Sequence, residues 1–498
     1  MAFNGRDLTD IHAFTRDELL YIIDKAAAMK RALAEHDTSR YRLAEGRDLL
    51  AALLFYENST RTRTSFEIAA LRLGMRTVGF SGVEGTSVKK GESLRHTLDM
   101  YEAYQCDTVI MRHPLDGSAR FAADHVGVPV FNAGDGKHEH PTQTILDLFT
   151  IREHLGRLED FDIGLSGDLK YGRTVHSLLV ALSKFPGVRV HTFAHEAIDL
   201  PPALAAFARE HGIELRRHES LAEIARAVDV LYQTRIQKER MPDLSEFEKA
   251  RSMGRFTPEI LEQTRPGFGL MHPLPIDKTA PSIDPAIDGH PKALYKTQAG
   301  NGVPTRLVEL ALSLGLLGED FAGEAWSEPP VDDSFIHEKE VVDKPPRTDV
   351  SIRPIRNNGV VIDHVAPYRE ETLVRILRVR ERRDIYRAAT VKSLRRPDHV
   401  KGMLMIEDRE FSEPELRAIA AVSPGCTVNI IRGGKVHRKF RLELPARIFG
   451  IPSLLCGNQG CITRPEHRES VPVVLRRAGE RAVRCHYCDH LMETVLFE

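Results

Sequence analysis

The 498-residue chain lacks the features that mark several large classes of protein. No apolar run reaches the ~20 residues that a membrane-spanning helix needs. Met1 to Asp10 is polar, without the apolar stretch a secretory signal carries. Basic residues do not outnumber acidic ones, and the net charge of -2 argues against a nucleic-acid partner. Cysteine is scarce and unevenly placed. Cys106 and Cys426 stand alone, while the other four lie between Cys456 and Cys488. That pattern does not suit a disulfide framework and points to a metal in a reducing compartment, so a cytoplasmic protein is expected.

What is present centres on Phe55-Tyr-Glu-Asn-Ser-Thr-Arg-Thr-Arg-Thr-Ser-Phe66. The apolar run from Leu49 to Tyr56 suits a buried strand, and Phe66 to Leu73 has helical spacing. A hydroxyl-rich turn between a strand and a helix offers backbone N–H groups and the positive end of a helix dipole to an anion. Arg61 and Arg63 match phosphate oxygens. Thr64 to Glu67 also reads as a capping box, which accounts for one hydroxyl and not for the rest. The stretch has no Gly-rich loop, so neither a nucleoside triphosphate nor a dinucleotide is implied there.

Two successive sets of alternating strands and helices follow, implying two mostly parallel α/β domains: 1–146, completed by a returning helix at 300–320, and 147–296. Polar groups cluster just after strands: Arg112-His113-Pro114, Gly134 to Gln143, Gly167 to Arg173, Thr234 to Arg240 and His272 to Pro275. Ligands of such sheets sit beyond the strand carboxyl ends, so these groups would build a cationic cleft for a polyanion. His138 and His140 lack a third partner at metal-binding spacing, and turn solvation for His138 and a hydrogen-bonding role for His140 are expected instead.

Residues 322–349, rich in proline and acidic side chains, read as a linker. A small α+β domain is expected over 350–440 and a mostly-β domain over 441–498. The latter carries Cys456-x4-Cys461 and Cys485-x2-Cys488, two close pairs that suit one closed, structural zinc site per chain.

Ser59 to Arg63, Met111-Arg-His-Pro114, His140-Pro-Thr-Gln143, Asp168 to Ser177, Arg235-x-Gln-Lys-Glu-Arg240 and His272-Pro-Leu-Pro275 together resemble the aspartate carbamoyltransferase family over residues 7–320. The tail, with Val361-Ile-Asp-His364 and its four cysteines, resembles that family's regulatory chain, so the two polypeptides look fused. The resemblance implies carbamoyl transfer from carbamoyl phosphate to L-aspartate, in pyrimidine biosynthesis, without a catalytic cofactor. Ser59, Thr60, Arg61 and Thr62 would hold the phosphate. Thr62, Arg112 and His140 would face the carbamoyl oxygen. Gln143 and the carbonyls of Pro273 and Leu274 would accept from the carbamoyl nitrogen, and Arg173, Arg235 and Gln237 would take the aspartate carboxylates. Ser87 and Lys90 would reach a neighbouring subunit's site in a catalytic trimer. Lys89 is the alternative to Lys90, and the lysine directly before Gly91-Glu92 fits better. Glu57 would pair with Arg173 and Arg240 on closure.

In the tail, Asp363, His364, Asn429 and Lys439 fall where the resemblance implies nucleotide contacts, and two trimers joined through the tails would give a hexamer. Met405 stands where regulatory chains usually carry lysine, so diminished nucleotide control is expected. The alternative is ornithine or another amino-acid carbamoyltransferase, but an ornithine site calls for acidic groups where Arg173 and Arg235 stand. A non-catalytic scaffold would lack essential residues, and none is missing.

Overall fold

The computed structural model describes residues 3–237, 241, 244–251, 254–342, 353–392, 400–451 and 453–497. The chain forms two units, Met1–Glu328 and Pro329–Glu498. Among the described residues no helix is long and apolar enough to cross a membrane.

The first unit starts with α1 (Arg16–Ala34), closed at its N-terminus by a capping box between Thr15 and Glu18. Next come β1 (Leu50–Phe55), α2 (Arg61–Leu73), β2 (Arg76–Ser81), α3 (Leu94–Ala103), β3 (Thr108–His113), α4 (Ser118–His125) and β4 (Val130–Asp135). The strands form a parallel sheet in the order β2-β1-β3-β4. Central β1 is buried from Ala51 to Phe55, as expected of a parallel strand covered on both faces.

After α5 (Pro141–Leu155) the pattern repeats with β5 (Asp162–Ser166), α6 (Arg173–Leu182), β6 (Arg189–Phe193), α7 (Pro202–Glu210), β7 (Glu214–Arg217), α8 (Leu221–Ala227) and β8 (Val230–Gln233). It ends with α9 (Leu244–Arg251), α10 (Pro258–Glu262) and β9 (Gly269–Met271). This second parallel sheet has the order β7-β6-β5-β8-β9. Every residue of α5 from Pro141 to Ile151 is buried, which makes the helix a joint packed on all sides between the two sheets. The returning helix is α11 (Tyr295–Ser313), which packs on α1, α2 and α5.

Strand order reverses between β1 and β3 in the first sheet and between β5 and β8 in the second. At such reversals the connections leave in opposite directions and open a crevice beyond the strand ends. The residues that follow β1, β3, β5 and β8 therefore converge.

The second unit has β10 (Ile336–Glu338), β11 (Gly359–Val365), α12 (Glu370–Ile376), β12 (Tyr386–Lys392), β13 (Val400–Glu407), α13 (Glu413–Val422), β14 (Thr427–Arg432) and β15 (Lys435–Leu442). They make a six-stranded antiparallel sheet, β10-β15-β14-β11-β13-β12, with an apolar core that includes Val360, Ile362, Leu373, Leu404 and Ile419. The segment 322–349 is thus not linker throughout: Ile336 to Glu338 pairs with β15, a strand too short to show a pattern in sequence. Six short strands complete the tail: β16 (Arg447–Ile448), β17 (Leu454–Leu455), β18 (Leu475–Arg477), β19 (Val483–Cys485), β20 (Leu491–Met492) and β21 (Leu496–Phe497).

Candidate active site

Helix α2 starts at Arg61, a turn earlier than its apolar spacing indicates. Thr64 therefore lies inside the helix, and Glu67 pairs with Arg63 at 2.9 Å, so the capping box does not form. The N-cap is Thr60, whose side chain makes no capping bond. First-turn N–H groups are left for a ligand, beside the hydroxyls of Ser59, Thr60 and Thr62. These residues line a cleft of about 800 Å3.

Arg112, at the end of β3, is fixed by Nε donating to Ala133 O at 2.8 Å. Its Nη2 donates to Thr62 Oγ1 at 2.9 Å and lies 3.1 Å from His140 Nε2. Burial, reinforced by Arg112, holds His140 well below its ordinary pKa, so the imidazole is neutral. Gln143, in the first turn of α5, lines the cleft and donates from Nε2 to Asp147 Oδ1 at 2.9 Å, which leaves its carbonyl oxygen to accept from a ligand.

The second sheet supplies the opposite wall. Arg173, first residue of α6, donates to Gly136 O at 2.9 Å and pairs with Glu57 at 3.6 Å across the cleft. Gly134 has φ +115°, a backbone conformation that side chains disfavour, and a Cβ there would stand 2.7 Å from the Arg173 guanidinium carbon and displace that group. Asp168 accepts from Gln237 N–H at 3.3 Å and anchors the loop after β8, where Arg235 also lines the cleft. His272 N–H donates to Gln298 at 2.9 Å, and Leu274 N–H donates to His272 Nδ1 at 2.8 Å, which fixes the loop carrying Pro273 and Leu274. Arg240 lies outside the described residues.

Arg61, Thr62, Arg112, His140, Gln143, Arg173, Arg235, Gln237, Pro273 and Leu274 thus share one cleft with Ser59 and Thr60. Ser87 and Lys90 do not. They occupy an exposed 3-10 turn, Ser87–Lys90, and line no part of this chain's own cleft. His138, expected to be solvated in its turn, is instead largely buried and bonded to Asp135 at 3.0 Å.

Two residues went unnoticed in the sequence. Arg306 on α11 lines the cleft, bonded to Ser65 and stacked 4.9 Å above the Phe66 ring. Its only signal is a charge on the apolar face of a helix. Asp147 is the other: buried, it accepts from Gln143, from Gln298 at 2.7 Å and from Tyr232 at 2.8 Å.

In the tail the four cysteine sulfurs lie within 4.8 Å of one another, all buried. Cys456 and Cys488 are 3.6 Å apart, and Cys461 and Cys485 3.8 Å. Four thiolates at zinc-bonding distance around a tetrahedral ion stand about 3.8 Å apart, so the donor set fits structural zinc with no open position. On the outer face of the larger sheet, register aligns Lys439, Asn429, Val361, Met405 and Arg387 in one row across five strands. Met405 is buried in a small apolar cluster with Ile355 and Ile431. Asp363 is held by Lys401 at 2.6 Å, and His364 lies beside it.

Residues 6–153 match the family described as aspartate/ornithine carbamoyltransferase, carbamoyl-P binding domain, and residues 159–311 match its Asp/Orn binding domain. Residues 350–443 and 446–495 match the allosteric and metal-binding domains of the aspartate carbamoyltransferase regulatory chain. The catalytic subunit of Methanocorpusculum labreanum aspartate carbamoyltransferase is 43% identical over 311 residues, 62% of this chain and 98% of that one. That of Thermococcus kodakarensis is 42% identical, covering 64% and 100%. Among solved structures, the M. jannaschii catalytic subunit aligns with TM-score 0.56 and 40% identity, over 62% of this chain and 97% of that one. The Trypanosoma cruzi enzyme aligns with TM-score 0.59 and 33% identity, over 63% and 98%. With a catalytic chain and a regulatory chain in one polypeptide, the protein belongs to the aspartate carbamoyltransferase family.

Proposed function

We propose that the chain transfers the carbamoyl group of carbamoyl phosphate to the amine of L-aspartate, yielding N-carbamoyl-L-aspartate and phosphate, in the cytoplasmic pyrimidine route. The neutral amine attacks the carbonyl carbon, its proton passes to a phosphate oxygen, and the C–O bond breaks to release phosphate. No enzyme nucleophile takes part, so catalysis rests on positioning and charge.

One observation carries this assignment: Thr62, Arg112 and neutral His140 converge on a single point beside the phosphate turn. A carbonyl oxygen placed there is met by the Arg112 guanidinium and the Thr62 hydroxyl, while the neutral His140, whose Nε2 accepts from Arg112, holds that guanidinium beside the oxygen as negative charge grows on it. Ser59, Thr60 and Arg61 hold the phosphate, Arg61 neutralising it as it leaves. The carbonyls of Gln143, Pro273 and Leu274 accept from the carbamoyl nitrogen. Arg173, Arg235 and Gln237 receive the aspartate carboxylates. Ser87 and Lys90, exposed and not lining their own cleft, complete a neighbour's site in a catalytic trimer, and paired tails join two trimers into a hexamer.

For the tail, Asp363, His364, Asn429 and Lys439 form a nucleotide-contacting surface. Its affinity is reduced because Met405 offers no charge and is occupied in apolar packing.

N-(phosphonacetyl)-L-aspartate, bound in a T. cruzi relative, joins a phosphonate to an aspartate in one molecule. In calorimetric titrations it should bind this protein at least a hundredfold more tightly than phosphonoacetate or succinate alone. Equal affinity for the whole and its halves would break the assignment of one cleft to both substrates.

A further inference from the structure

A second cavity of about 360 Å3 shares only Thr234 and Arg235 with the cleft. Its floor is the end of β8, where Gln233 is 4% exposed and its Oε1 has no hydrogen-bond partner among the described residues. A buried amide carbonyl without a donor is unfavourable, and the site that accommodates it is one that a ligand N–H can satisfy. Phe193, Leu221 and Phe247 give one wall an apolar surface. Arg251 and Arg255 stand at the rim, paired with Glu248 at 3.7 Å and Asp284 at 2.9 Å. Asp277, also on the lining, accepts from the Thr279 N–H at 2.8 Å and from its hydroxyl at 2.7 Å. With Glu248 and Asp284 already paired to the rim arginines and Asp277 beside Arg235, a dianion meets more fixed negative charge here than a monoanion does. Aspartate and its carbamoylated product, each with two carboxylates, are therefore poor occupants.

We propose that this cavity is a regulatory site for a small monocarboxylate with an apolar body and an amide N–H, the chemistry of an N-acyl amino acid. Its N–H meets Gln233 Oε1, its apolar part lies on Phe193 and Phe247, and its carboxylate draws on Arg235. Because Arg235 also lines the cleft, occupancy weakens binding of the dicarboxylate substrate there. By thermodynamic reciprocity that substrate weakens the occupant by the same factor. This coupling rests on the function proposed above, whereas the existence of the site does not.

The test uses the full chain and hippurate (N-benzoylglycine), first by calorimetry without substrates. Hippurate should bind once per chain, and Gln233→Leu should weaken it at least tenfold while leaving kcat unchanged. Ala250→Leu, which narrows the same cavity, gives an independent variant should Gln233→Leu fold poorly. In wild type, hippurate should raise the aspartate KM severalfold, and neither variant should show that rise. The site is overturned if hippurate fails to bind at millimolar concentration or binds both variants as well as wild type. Unaltered aspartate KM despite variant-sensitive binding would overturn the coupling.

Discussion

Gln143 Nε2 donates to Asp147 Oδ1 at 2.9 Å, one turn further along the same helix. Gln298 and Tyr232 donate to the same carboxylate. Burial pushes the Asp147 carboxyl up to about 7 against the opposing pull of the hydrogen bonds from Gln298, Tyr232 and Gln143, and all three of those groups approach its oxygens as donors. Asp147 thus fixes which end of the Gln143 amide is left for a ligand. Asp147→Asn introduces a donor into this network and removes the reason for that orientation. A loss of kcat/KM of about tenfold or more is expected, from one misdirected hydrogen bond worth about 1–3 kcal/mol. Steady-state kinetics with a melting curve checks this; wild-type kinetics in a folded variant would contradict it.

Glu309, on α11, is buried, and among the described residues neither carboxyl oxygen has a hydrogen-bond partner. Burial raises its pKa from 4.5 to about 8, with Arg306 opposing. Between those values the folded protein binds more protons than the unfolded chain, so the stability associated with the neutral acid is full below pH 4.5 and lost as pH rises to about 8. Glu309→Gln keeps the shape without an ionisable proton. It should melt higher than wild type at pH 8, and the gain should shrink towards pH 5. A gain independent of pH would show that ionisation of Glu309 is not its source.

Arg61 lines its own cleft and Lys90 does not, which makes a mixing experiment decisive for sharing. Arg61→Ala should lower turnover by roughly 10²–10³-fold, the scale for one preorganised charge. Lys90→Ala should also be nearly inactive. Dissociating and reassembling the two together should restore activity, since some hybrid sites then hold both groups. Verified hybrid trimers without recovery would count against shared sites.

Met405 packs against Ile355 and Ile431 on the face that carries Asn429 and Lys439. CTP, ATP and UTP titrated at sub-saturating aspartate should therefore change the rate little. Met405→Lys should strengthen the response, by about 1.5–3 kcal/mol of nucleotide affinity if a charge-assisted hydrogen bond forms. Strong inhibition or activation of the wild type at millimolar nucleotide would refute this.

The strand–turn–helix after β1 and its place on the cleft were legible because the pattern is local: strand, hydroxyls, arginines and helix lie within Leu49 to Leu73. The cleft's far wall was legible for a topological reason, since polar residues just after parallel strands gather wherever strand order reverses. Arg306 was not, because α11 brings it back from the far end of the unit and only tertiary packing against Ser65 and Phe66 reveals the contact. Asp147 looks like an ordinary helix residue until Tyr232 and Gln298 are seen to point at it. Strand β7 escaped because Glu214-Leu-Arg-Arg217 is an exposed edge strand with no alternating apolar pattern, and α9 lies in a polar stretch.

The most direct measurement offers the purified protein carbamoyl phosphate with either L-aspartate or L-ornithine and follows the carbamoylated product. Arginines at 173 and 235 on the amino-acid side should favour the dicarboxylate by at least a thousandfold in kcat/KM, roughly 4 kcal/mol of transition-state discrimination. N-carbamoyl-L-aspartate formed at enzymatic rates, with citrulline near background, is the predicted result. Citrulline as the major product, or no turnover with aspartate, would contradict it.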